Sequence, residues 1–156
     1  MSLLEYYEPD TRTLTLPWDF NECINKDNLP NDVLIIIFKN ERNNMGYYSK
    51  FNQPVDSLPN SITNLTLGFY FNQSVMSLPN SIIELGFYSN SSIKDNLPDF
   101  IETVIIYFIH EDIYNYKITN LPYNLKKIKI NDPDKKHYII KIPFDCILTD
   151  LDDNVI

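Results

Sequence analysis

The chain has 156 residues, 44% hydrophobic and 22% charged, with a formal net charge of −8. That is enough for one domain with a real core and too little for two generous ones. It holds no alanine, 3 glycines, 19 asparagines, 21 isoleucines, 11 tyrosines and 9 phenylalanines, a stock that disfavours helical bundles and suits strands joined by Asn- and Pro-marked turns.

Residues 1–11 form a short N-terminal cap ahead of the first strand; they show neither a basic nor an apolar targeting segment, so no signal peptide is expected. Alternating apolar residues then predict strands at about 13–16, 34–38, 64–67, 83–87, 103–107, 127–130 and 147–151, with 152–156 left as an acidic tail. The longest apolar run, Val33 to Phe38, is far shorter than the roughly 18 residues of a membrane span. Cys23 and Cys146 are the only cysteines; each adjoins an apolar residue, so small core residues in a reduced cytoplasmic compartment are expected.

Between the strands the text repeats. Leu-Pro recurs at Leu29-Pro30, Leu58-Pro59, Leu78-Pro79, Leu97-Pro98 and Leu121-Pro122, with Ile142-Pro143 as a conservative sixth. The steps are 29, 20, 19, 24 and 21 residues. Phe51-Asn-Gln-Pro-Val-Asp-Ser-Leu-Pro-Asn-Ser-Ile62 is followed almost verbatim by Phe71-Asn-Gln-Ser-Val-Met-Ser-Leu-Pro-Asn-Ser-Ile82. Recurrence at this period means a stack of coils, each burying its apolar side against its neighbours. The asparagines after the strands (Asn21, Asn52, Asn72, Asn90, Asn115) are expected to form a buried turn ladder, and Phe20, Phe51, Phe71 and Tyr114 an aromatic spine. Insertions at 40–50 and 107–113 break the period, as does a two-residue loss near Leu85-Gly86. The predicted class is therefore a mainly β solenoid of about seven coils, one parallel strand per coil, with few or no regular helices.

The Phe-Asn-Gln-Pro-Val and Leu-Pro-Asn-Ser-Ile strings closely resemble FNIP repeats, a leucine-rich-repeat-like family of social amoebae and giant viruses, over about residues 12–151. Some members carry an F-box that recruits ubiquitin-ligase machinery. No F-box precedes the repeats in this sequence, so a substrate-recognition role would need a separate F-box-type chain. The resemblance implies a non-catalytic scaffold for protein–protein interaction, with host-factor recognition as the reading if the source is viral.

Strand residues that alternate with the core would form the concave face of such a stack. Candidate protein-binding residues on it are Ile35, Ile37, Thr66, Glu84, Ile105, Tyr107, Lys127 and Lys129. Charge is spread evenly, each half of the chain carrying −4, and the lysines near 126–141 are interrupted by Asp132 and Asp134, which argues against nucleic acid as partner. Catalytic, cofactor and metal sites are not expected. His110-Glu111-Asp112 lacks the second histidine of a zinc helix, His137 has no spaced partner, and three glycines supply neither a P-loop nor a dinucleotide fingerprint. The competing expectation is a structural or self-associating protein, monomer or weak homo-oligomer, with Trp18, Tyr6 and Tyr7 capping one end or pairing two molecules. Inhibition of a bound enzyme is a weaker third reading.

Overall fold

Period-2 alternation of apolar residues gives each coil one short strand with one side turned inward. The computed structural model describes residues 3–40, 48–108 and 117–156, apart from the Asp95 side chain. In chain order the strands are β1 (Tyr7–Glu8), β2 (Thr13–Leu16), β3 (Ile35–Phe38), β4 (Asn64–Thr66), β5 (Glu84–Tyr88), β6 (Thr103–Tyr107), β7 (Lys127–Ile130) and β8 (Ile147–Asp150). They form one sheet in sequential order. β2 to β8 are joined by parallel pairings, and β1 pairs antiparallel with β2. Among the described residues the only helical segments are 3-10 turns at Leu3–Tyr6, Ser92–Asp95 and Pro133–Tyr138. The chain is thus a β-solenoid with one parallel strand per coil, and the predicted strands agree with the observed ones to within a residue at each end. β1 is the element the alternation pattern did not supply. Tyr107 closes β6.

The register is unbroken. Leu14, Ile36, Leu65, Leu85, Val104, Ile128 and Leu148 are successive Cα partners and make one buried row; Leu16, Phe38, Leu67, Phe87, Ile106 and Ile130 make a second. The Leu-Pro corners explain themselves through one turn repeated six times. The carbonyl of Pro30, Pro59, Pro79, Pro98, Pro122 or Pro143 accepts from the N–H three residues on, at 3.0–3.3 Å. Proline lacks an N–H but keeps its carbonyl, so it can open this turn at no cost in hydrogen bonds.

The Phe-Asn-Gln triplets divide the work of stacking. Inside, Phe51 stacks on Phe20 (centroids 6.2 Å), Phe38 (3.7 Å) and Phe71 (6.0 Å). At the turn, Asn52 N–H donates to Asn21 Oδ1 at 2.9 Å and Asn72 N–H to Asn52 Oδ1 at 2.8 Å. Gln53 and Gln73 Nε2 reach back to the same oxygens at 3.2 Å. This ladder differs from the expected one in two respects. Asn21 and Asn72 are exposed and Asn52 half-buried, so it runs along the surface. Its next rung is the Ser91-Ser92 pair rather than Asn90: Ser91 Oγ donates to the Phe71 carbonyl at 3.2 Å, and Ser92 Oγ bonds Asn72 Oδ1. Backbone position decides the rung, and in that coil two hydroxyls occupy the place of Phe-Asn. Tyr114 and Asn115 lie outside the described residues.

Candidate functional site

Because inward and outward side chains alternate, one face of the sheet is turned away from the core. Ile35, Ile37, Thr66, Glu84, Ile105, Tyr107, Lys127 and Lys129 all lie on it, each half-buried. Parallel register orders them into rows: Ile35, Asn64, Glu84, Thr103 and Lys127 are successive partners, and so are Ile37, Thr66, Gly86, Ile105 and Lys129. In the first row Asn64 Nδ2 donates to Glu84 Oε1 at 2.7 Å. In the second, Gly86 is a gap with a purpose, since a Cβ there would come 2.9 Å from Thr66 Oγ1. Tyr107 shares a hydrogen bond with Thr66 across the strand that contributes Gly86. Burial pushes the Tyr107 hydroxyl above its ordinary pKa and the Glu84 carboxylate adds to the rise, while the bond to Thr66 opposes it.

Sequence reasoning missed the aromatic row beside these residues. Tyr48 stacks on Phe69 with centroids 4.2 Å apart, Phe69 meets Tyr88 edge-on at 5.6 Å, and Tyr88 stacks on Tyr107 at 5.3 Å. Tyr70 packs edge-on against Phe69 at 5.0 Å and is itself exposed. Four coils contribute one half-buried ring each. The signal was present as aromatics spaced 21, 19 and 19 residues apart, but Tyr48 belongs to an insertion, so template matching passes over it. In the adjoining coil Lys50 Nζ stands 4.7 Å over the Trp18 ring, a cation–π contact.

The lysine end of the face differs from a free basic patch. Lys127 Nζ and Lys129 Nζ lie 3.0 and 2.9 Å from the two carboxylate oxygens of Asp153, so the acidic tail is folded onto them. Tyr6, at the end of the first 3-10 turn, and Tyr7, the first residue of β1, pack against the core. The cysteines separate: Cys23 is exposed, its Sγ 3.6 Å from Gln53 Oε1, which corrects the expectation of a core residue. Cys146 is partly buried against the core, and burial pushes its thiol up to about 11. His137 Nδ1 lies 2.8 Å from the Asp134 carbonyl within a 3-10 turn, and no group of three or more potential metal ligands occurs among the described residues. His110, Glu111 and Asp112 lie outside them. No helix among the described residues is long and apolar enough to cross a membrane.

Residues 51–89 match the family model of the FNIP Repeat. In fold the chain is similar to CroV588, a circular leucine-rich-repeat protein of a giant virus known from its crystal structure, with a TM-score of 0.53 and 26% sequence identity. The match covers 87% of this chain and 20% of that one, so the chain spans about a fifth of the other protein's length. No curated protein matches it. The family match falls on the two coils that begin with the Phe51 and Phe71 triplets, and the fold match extends the repeat scaffold over most of the chain.

Proposed function

We propose that this FNIP-repeat-bearing scaffold is a non-catalytic recognition module that binds a protein partner along the open face of its sheet. One observation carries the reading: four consecutive coils align Tyr48, Phe69, Tyr88 and Tyr107 in mutual contact, half-buried beside Ile37 and Ile105. Core packing does not call for them, since the interior rows are already closed by Leu, Ile and Phe. Rigid aromatics on a preformed surface bury large area at small entropic cost, which is the composition of interaction hot spots. A protein segment lying across the strands would meet apolar rings and isoleucines at the centre and polar groups (Asn64, Glu84) at the flank. Recognition of a host factor by a viral protein is one setting in which such a module works, and the likeness to a giant-virus protein supports it.

The test is selection of binders from a random peptide display library on the immobilised protein. Selected peptides are expected to lose binding to Ile37→Glu/Ile105→Glu and to Tyr88→Ala by tenfold or more, on the order of one hot-spot contact. Binders that hold all these variants equally well would place the interface elsewhere and sink the proposal. Circular dichroism of each variant shows that the sheet persists.

A further inference from the structure

The last two Leu-Pro corners depart from the repeat in a way the fold does not need. At the first four, Leu29, Leu58, Leu78 and Leu97 are buried, and the residue two places on is polar: Asn31, Asn60, Asn80 and Asp99. At the fifth and sixth those polar positions are Tyr123 and Phe144, 74% and 91% exposed, and the leucine of the sixth corner becomes Ile142, 41% exposed. Between the two corners lies a groove of about 450 Å³, walled by Leu121, Tyr123, Ile142 and Phe144. Seven of the eleven exposed large hydrophobic residues among those described lie from Tyr123 onward. The strand edge is not what is open at this end. Residues after β8 turn back and pair beside it, Asp150 N–H donating to the Asn154 carbonyl and Ile156 N–H to the Leu148 carbonyl.

We propose that a second copy of this chain covers this corner across a two-fold axis, each Phe144 seated in the other copy's groove. Three features select that occupant. Knob and groove share one surface, Phe144 being both the projecting ring and one wall of the groove, which is the self-complementarity an isologous contact requires. Phe144 stands between exposed Lys141 and Asp145, so the patch is locally neutral in a chain of net charge −8, and two copies can meet there without stacking like charges. The opposite end offers Leu4 as its only exposed large hydrophobic among the described residues, and its sheet edge is already paired with β1, so a head-to-tail contact finds no matching apolar surface. The inference is independent of what binds the open face of the sheet.

Sedimentation and light scattering of the full chain from micromolar to millimolar concentration test it. The expected result is a monomer–dimer equilibrium ending at twice 18.4 kDa. Phe144→Asp and Tyr123→Asp should each weaken it by about thirtyfold or more, the scale of losing a buried aromatic anchor, while Leu4→Asp should leave it unchanged. Both targets are exposed in the single chain, so the thermal melts of dilute variants should match the parent. A monomer at every concentration overturns the proposal. So does growth beyond a dimer, which would mean an open head-to-tail contact, and so does a dimer that Phe144→Asp leaves intact.

Discussion

Single residues decide how the first insertion rejoins the stack. A Cβ on Gly68 would stand 2.3 Å from both Cβ and Oγ of Ser49, which is completely buried. The missing side chain is what lets the returning insertion pass beneath the turn after β4. Asn40 fastens the same junction, its Oδ1 accepting from the N–H groups of Ser49 at 2.7 Å and Phe69 at 3.3 Å. Asn131 does likewise beside the second insertion, exchanging two bonds with the Phe108 backbone at 2.7 and 3.0 Å. Gly68→Ala should therefore destabilise the chain by about 1–3 kcal/mol, as overpacking of a filled interior does, read as a lower urea midpoint. Ser49→Gly removes both atoms the new methyl would strike, so the double variant should be clearly more stable than the sum of the single losses predicts. Additive losses would show that Ser49 is not what Gly68 makes room for. The surplus asparagine in the sequence thus has a use at Asn40; Asn43 and Asn44 lie outside the described residues.

At the scale of the coil, the Phe-Asn-Gln triplet couples each turn to its neighbours through separate inner and outer contacts. Asn52 is the middle rung, with its Oδ1 taking the Asn72 N–H at 2.8 Å and Gln73 Nε2 at 3.2 Å. Asn52→Ala hands that exposed backbone N–H over to water and should cost about 0.5–1.5 kcal/mol, the net worth of such a bond. Asn52→Asp keeps an acceptor oxygen in place and should cost distinctly less. Equal losses for the two, measured by urea denaturation, would show that the side chain serves packing and not the ladder. Strands, corners and spine were legible in the sequence because each depends on a period: two for the strand, about twenty for the coil. The identity of a rung was less so. Matching letters selects Asn90, whereas the chain places Ser91 and Ser92 there, because a slippage of two residues in a turn leaves the strand pattern undisturbed. The outward residues of the candidate face could be read from alternation alone. Which of them touch could not, since the Tyr48–Phe69 stack depends on where an insertion without repeat character re-enters.

Across the whole molecule, a stack of coils has two ends, and an open strand edge at either is a template for unwanted pairing. This chain closes both with short antiparallel returns: Tyr7–Glu8 beside β2, and a single bridge from Val155 to Thr149 beside β8. The second return is held by charge, which composition could not reveal. The Asp150 carboxylate accepts from the N–H groups of Asp152 and Asn154 and from Asn154 Nδ2 at 2.8–2.9 Å. Asp153, at φ 66°, reaches back to Lys127 and Lys129. Hydrogen bonds from Lys129 and Lys127 hold the Asp153 carboxyl below its ordinary value of 3.8, and those from Asn154 do the same for Asp150. A carboxylate whose pKa is lowered by docking favours the docked tail fully above the ordinary value, and that contribution is lost as pH falls through the lowered one. The tail should accordingly stay docked as pH is brought down to about 3.8 and release only below it, followed by the amide signal of Ile156 and the carboxyl carbon shifts of both aspartates. Lys127→Met with Lys129→Met should move the Asp153 midpoint up towards 3.8 and leave that of Asp150 in place. An Asp153 midpoint unmoved by removing both lysines would mean that they do not hold the tail, and the basic end of the face would be open to a partner after all.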